Sequence, residues 1–119
     1  MSPETHINEI ITNQHIYVLI DHDDNLAQIE SEETEQSDGS PCMVQLLFTD
    51  EWHCKSLTNI QFTKYNPVSM SIEELLEFLL AIDEVGWLVM INPNADMNDT
   101  EHEPIELYNQ LGVALWLFE

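Results

Sequence analysis

The chain has 119 residues, of which 23 are acidic and only two are lysine or arginine, so its formal net charge is −21. Its 44% hydrophobic content fits one folded domain, because disorder requires low hydrophobicity as well as high net charge. The charge excludes nucleic acid, phosphorylated substrates and anionic membranes as partners, and it favours cationic ones.

The compartment is predicted from what the sequence lacks. Residues 2–11 contain no cationic region followed by a long apolar run, so they do not form a signal peptide. The longest apolar run outside the predicted helices, 85–91, is too short to span a bilayer. We therefore expect a cytoplasmic protein in which Cys42 and Cys54 are reduced structural thiols.

The first half of the chain predicts short elements separated by polar turns. Ser2-Pro3-Glu4 is typical of a helix start and predicts a helix over 3–12. HIYVLI predicts a strand over 15–20, then a turn over 21–25 and a strand over 26–30 that pairs back as a hairpin.

An exposed acidic loop is predicted over about 31–42, because residues 31–41 include no apolar side chain other than proline. MVQLLFT then predicts a strand over 43–49, followed by a short helix over 50–54 and an extended segment over 57–63.

The second half begins with a capping box. Ser71 and Glu74 predict the start of a helix that ends near Glu84, with Gly86 as its stop. WLVMI at 87–91 shows no alternation, which is typical of a central strand buried on both faces.

A polar loop over 92–103 leads to Pro104, which opens a short helix ended by Gly112. VALWLF at 113–118 then predicts a final buried strand. The predicted order is α-β-β-β-α-β-α-β, and the predicted fold class is a single α+β (mixed α/β) domain with a central sheet and helices packed on it.

The carboxylates are the main candidates for a site. Alternate residues of a strand lie about 6.6 Å apart, and helical pairs four residues apart lie about 5–6 Å apart. Duplex DNA carries one charge per roughly 3.4 Å of axis on each strand, so fixed carboxylates can replace phosphates. The candidate partner-binding residues are Asp21, Asp23, Asp24, Glu30, Glu32, Glu33 and Glu35, with Glu73, Glu74 and Glu77 as a second patch. A further acidic segment runs over 96–106, and solubility alone is the competing explanation.

Calcium binding is a third candidate function. Residues 92–103 place oxygen ligands at several positions of an EF-hand loop, but Met97 replaces the glycine that the loop needs and Asn92 replaces its first aspartate. A polar turn explains the segment as well, and no metal or other cofactor is expected.

Catalysis is not predicted. His53 and Cys54 are adjacent, and adjacent side chains do not normally face each other as a dyad requires. No phosphate-binding glycine loop or nucleophile elbow is present among only three glycines.

Two families resemble the chain. LLFTDEW, SIEELLEFLLAIDEVGWLVMINPNAD and EPIEL, within 44–110, are similar to the N-terminal domain of the SseB (enhanced serine sensitivity) type, although Asn94 replaces a glycine usual there. This resemblance implies an adaptor domain that binds a protein through an apolar patch.

In length, acidity and element order, the whole chain resembles a small family of bacterial DNA-mimic proteins that bind the histone-like protein HU. This resemblance implies a monomer that competes with DNA for HU, without contacting nucleic acid or membrane itself. Trp52 and Tyr65 are further candidates for anchoring a partner.

Overall fold

The computed structural model describes residues 3–35, 39, 41–93 and 101–118, with the backbone alone for 3–5, 32–35, 41 and 116–118. Helices and strands are interspersed along it, and the fold is α+β, as predicted. In chain order they are α1 (Pro3–Asn13), β1 (His15–Ile20), β2 (Gln28–Glu35), β3 (Pro41–Leu47), α2 (Glu51–Thr58), β4 (Asn66–Ser71), α3 (Ile72–Glu84), β5 (Leu88–Ile91) and α4 (Pro104–Phe118).

The strands form two small sheets. β1 pairs antiparallel with β4, whereas β3 pairs antiparallel with β2 and parallel with β5. Tyr17 and Phe48 join the sheets, since the N–H of each donates to the carbonyl of the other at 2.8 and 2.9 Å. The single central sheet of the prediction is therefore two sheets linked through β1 and β3.

The core has two parts, one on each side of the strands. The first lies under α1, α3 and α4 and contains Ile10, Leu79 and Leu111. The second lies under α2 and contains Phe48 and Leu57. β5 contributes to both, with Val89 and Ile91 in the first and Met90 in the second. Its burial on both faces confirms the prediction made from WLVMI.

β5 is not the central strand, however. The order of the sheet is β2-β3-β5, so β3 lies in the middle. The outer edge of β5 is covered by His102, whose backbone exchanges hydrogen bonds of 2.8 and 2.9 Å with Val89. This bridge satisfies the outward backbone groups of Val89.

The prediction of a loop over 31–42 is wrong at both boundaries. β2 continues to Glu35 and β3 begins at Pro41, with a shift of register between Glu30 and Glu35. Backbone pairing with β3 stabilises this strand, although its residues 31–35 offer no apolar side chain. The predicted hairpin is limited to a bridge between Ile20 and Leu26, because β2 pairs with β3 instead.

The extended segment predicted over 57–63 is also wrong. α2 continues to Thr58 and the chain then turns, with Phe62 at a φ of 53°. The strand comes later, as β4, and it contains Pro67. Proline is tolerated there because β4 pairs with β1 alone and one of its edges needs no donor.

The final strand predicted over 113–118 is helical. α4 runs through Gly112 to Phe118, and Leu107 and Leu111 bury their side chains against α1 and α3 while Ala114 packs beside them. These positions recur at helical spacing, so packing continues the helix past a glycine that local signals treat as a stop.

Candidate partner-binding surface

The turn after β1 contains the first three predicted site residues. The Asp21 carboxylate accepts hydrogen bonds from the backbone N–H groups of Asn25 and Asp23, each at 2.9 Å, and from the Asn25 amide at 3.2 Å. The backbone bond from Asn25 does most to hold the pKa of Asp21 below its ordinary value. Asp21 thus builds the turn, which leaves Asp23 and Asp24 exposed.

The second predicted patch lies on the first turns of α3. Glu73, Glu74 and Glu77 are exposed. The capping box is confirmed, since the Glu74 carboxylate accepts from the Ser71 N–H at 3.1 Å and the Ser71 hydroxyl accepts from the Glu74 N–H at 3.2 Å. Glu73 and Glu77 are therefore the carboxylates of this patch that face solvent without a capping role.

These two predicted patches lie at opposite ends of β1. The register with β4 pairs Ile20 with Asn66 and His15 with Ser71. The acidic turn follows Ile20, whereas α3 follows Ser71, so about 17 Å of strand separates them. The structure does not bring these two patches together.

Glu30 is exposed on β2. Glu32, Glu33 and Glu35 also belong to β2, but their side chains lie outside the described part of the structure.

Two long-range contacts do bring the acidic segments together elsewhere. The Ser31 hydroxyl donates to Glu101 Oε1 at 2.6 Å, which joins β2 to the segment before α4. The Ile105 N–H donates to Asp83 Oδ1 at 3.3 Å, which joins the end of α3 to the start of α4. We call the resulting surface the acidic edge; it comprises Glu30, Asp83, Glu84, Glu101, Glu103 and Glu106.

The acidic edge adjoins the amino ends of the parallel strands β3 and β5. The Cys42 thiol donates to the Gly86 carbonyl at 3.2 Å, and burial together with the nearby Glu101 charge raises the pKa of that thiol. Glu30, Glu84, Glu103 and Glu106 are exposed on this surface. Of these four residues, the sequence analysis predicts only Glu30 as a site residue. For the other three, the only indication in the sequence is that acidic residues cluster in three segments of the chain.

A different surface is formed where α2 begins. Trp52 is 70% exposed and lines a hollow of about 270 Å³ with Leu57, Ile60 and Pro93. His53 and Ser56 lie in the same hollow. Asn92 completes the lining, which is therefore partly polar. The exposure of Trp52 shows that its side chain lies on the surface and not in the core.

Residues 4–111 match a family model described as "Protein of unknown function (DUF2750)". The chain belongs to the DUF2750 family. No curated protein and no solved structure matches it. The matched region includes both the acidic edge and the hollow beside Trp52.

In this DUF2750 chain the two thiols are free and buried. Burial, and then the charges of Asp50 and Glu51, raise the pKa of Cys54 to about 12. His53 faces Asp50 instead, with its Nδ1 2.8 Å from Asp50 Oδ1. The side-chain hydrogen bond that the structure shows for His53 therefore goes to Asp50 and not to Cys54.

Within the described ranges, no group of three or more histidine, cysteine or acidic side chains is placed to hold a metal ion. Most of the loop considered for calcium, residues 94–100, lies outside those ranges. Among the same described residues, no helix combines the length and apolar character needed to cross a membrane.

Proposed function

We propose that this DUF2750 chain is a DNA mimic: it binds a basic DNA-binding protein through its carboxylates and competes with DNA for that protein. HU is the partner that the resemblance implies. Through such a partner the chain would associate with the nucleoid in the cytoplasm. Its own action is binding and not catalysis.

The observation that carries the proposal is the convergence of three acidic segments at the acidic edge, through the Ser31–Glu101 and Asp83–Ile105 contacts. Two lysines can neutralise at most two of 23 acidic side chains, and Lys55 already lies 3.5 Å from Glu51. A partner's lysine and arginine side chains would supply the missing counter-charges. Attraction of this kind speeds encounter between the proteins and weakens as salt increases.

The test has two parts: displacement of a labelled DNA duplex from HU at about 50 mM NaCl, monitored by fluorescence anisotropy, and direct binding of the chain to HU at about 50 and 300 mM NaCl, measured by calorimetry. We expect displacement at low salt and an affinity for HU that falls steeply as salt increases, because salt screens the contacts between carboxylates and basic side chains. No displacement at low salt, or equal affinity for HU at both salt concentrations, would contradict the proposal.

Two triple variants of equal net charge locate the contact. E84Q/E103Q/E106Q removes three carboxylates from the acidic edge, whereas D23N/D24N/E73Q removes three from the patches at the ends of β1. We expect the first variant to lose more affinity for HU than the second. Equal losses would mean that overall charge, and not the acidic edge, determines binding.

A second candidate function is an SseB-like adaptor that binds a protein through an apolar patch. The exposed side chains of Trp52 and Ile60 around the hollow favour it. Capture of a partner that is insensitive to salt would support this function over mimicry.

A further inference from the structure

The hollow beside Trp52 is unusual for so acidic a surface. Trp52 and Ile60 are 70% and 65% exposed, the two highest values among the large apolar side chains that the structure describes. Leu57 and Pro93 form the buried floor of the hollow. Exposed apolar side chains that lie together mark a surface for contact, because burying them removes apolar area from water.

The Trp52 indole contacts a histidine ring that is itself held by hydrogen bonds. Asp50 Oδ1 accepts from the His53 backbone N–H at 2.9 Å and lies 2.8 Å from His53 Nδ1. The His53 ring meets the indole edge-on, with the ring centroids 5.0 Å apart and an angle of 89° between the planes. An ordered side chain loses little conformational freedom on binding, so this arrangement favours a binding role.

Charge decides between a cationic and an apolar occupant. Asp50 and Glu51 immediately precede Trp52, and together they outweigh the charge of Lys55, which lies 3.5 Å from Glu51. Burial raises the pKa of Asp50, but hydrogen bonds from His53 outweigh burial and leave that pKa below its ordinary value. A guanidinium group gains from an indole face and from nearby carboxylates, whereas a neutral side chain gains only from the apolar walls. The hydroxyl of Ser56 in the hollow offers an additional acceptor.

We propose that the hollow receives an arginine side chain of the basic partner, with the guanidinium on the Trp52 indole and the aliphatic stem against Ile60. This inference rests on the proposed function and adds an anchor that is aromatic rather than acidic. It also explains why an exposed tryptophan lies beside two carboxylates.

The test uses hexaarginine, with hexacitrulline as a neutral probe of nearly the same shape. Their affinities for the wild type, W52F, W52A and V113A are measured by calorimetry at about 150 mM NaCl. Val113 is 61% exposed on α4, so V113A controls for the loss of an exposed apolar side chain. Circular dichroism confirms that each variant is folded.

We expect W52A to bind hexaarginine roughly 2- to 30-fold more weakly than the wild type, the range of a cation–π contact, with W52F in between. V113A should bind like the wild type, and hexacitrulline should not bind. Equal affinities of W52A and V113A for hexaarginine would overturn the inference. So would equal binding of hexacitrulline, which would indicate an apolar occupant.

The same variants in the HU assay separate the two proposals. Displacement by wild type and W52A alike would retain mimicry and remove the arginine anchor. Binding of hexaarginine through Trp52 without any displacement from HU would retain the anchor and remove HU as the partner.

Discussion

Asp50 stabilises the start of α2 in two ways. Its carboxylate accepts from the His53 N–H as an N-cap, and it also contacts the His53 ring. Burial disfavours its ionised form, but the hydrogen bonds from His53 outweigh this and leave its pKa lowered. A group with a lowered pKa stabilises the fold above its unfolded pKa and loses that effect as pH falls through the folded value.

We expect D50A to reduce the free energy of unfolding by about 1–2 kcal/mol at pH 7, the usual effect of losing a cap and one hydrogen bond. The difference from the wild type should begin to shrink below about pH 4, the ordinary pKa of an aspartate in an unfolded chain, and should shrink further as pH falls through the lower folded value. Urea unfolding at pH 7 and pH 3 measures the difference in the free energy of unfolding between D50A and the wild type at each pH. D50N keeps a hydrogen-bond acceptor and should lose less free energy of unfolding than D50A. A difference between D50A and the wild type that is the same at both pH values would contradict this account.

A second prediction at the residue scale concerns the reactivity of the two cysteines. Cys42 and Cys54 are buried and have raised pKa values, so neither presents a thiolate to solvent. We expect iodoacetamide at pH 8 to label both thiols in urea and neither in the native protein within the same time. Mass spectrometry measures the number of labelled cysteines in each sample. Rapid native labelling would show that the thiols are accessible.

At the scale of elements, two glycines differ in backbone conformation: one has a positive φ and the other lies inside a helix. Gly86 ends α3 with a φ of 82°, whereas Gly112 is exposed inside α4, with open space where the Cβ of a larger residue would lie. Alanine is a better helix former than glycine by about 1 kcal/mol, but it is strained at positive φ.

G112A should therefore increase the free energy of unfolding by roughly 0.5–1 kcal/mol, and G86A should reduce it by about 1–2 kcal/mol. Chemical denaturation of both variants under the same conditions checks the pair. If G112A were destabilising instead, the helix would not continue through Gly112.

Elements defined by local signals were predictable from the sequence. The capping box of α3 needs only Ser71 and Glu74, which lie three residues apart. Elements that depend on distant partners were not predictable in the same way. β2 is a strand because β3 pairs with it, and α4 continues past Gly112 because Leu111 and Ala114 pack against other helices.

The candidate site also has features that the sequence indicates and features that depend on distant contacts. The sequence makes Asp23, Asp24, Glu30 and the glutamates of α3 candidates from their charge alone, and their exposure follows the rule that charged side chains are rarely buried. It could not predict that Glu101 meets Ser31, since 70 residues separate them. The acidic edge depends on that contact and on the one between Asp83 and Ile105.

At the scale of the whole molecule, its dimensions determine how far the charges repel. The domain measures 39 × 34 × 27 Å, and the screening length is about 30 Å at 0.01 M salt but about 8 Å at 0.15 M. At low salt, carboxylates on opposite sides therefore repel each other, whereas at physiological salt only neighbours do. Self-repulsion of this kind destabilises the compact state.

We expect Tm to rise by about 5 °C between 0.01 and 0.15 M NaCl, which corresponds to roughly 1 kcal/mol for a domain of this size. Calorimetric scans measure the rise. E84Q/E103Q/E106Q has less charge to screen and should show a smaller rise than the wild type. A Tm that falls with added NaCl would mean that attractive pairs, rather than repulsion, dominate.

The packing of α1 against α4 joins two segments that lie far apart in the chain. Ile7 and Ile10 of α1 share a core with Leu107 and Leu111 of α4, about a hundred residues later in the chain. During synthesis the part of α1 that packs on α4 stays exposed until α4 is made, and such delays leave nascent chains open to association. The negative charge along the intervening segments would keep waiting chains apart, so solubility before folding is a second consequence of the same carboxylates.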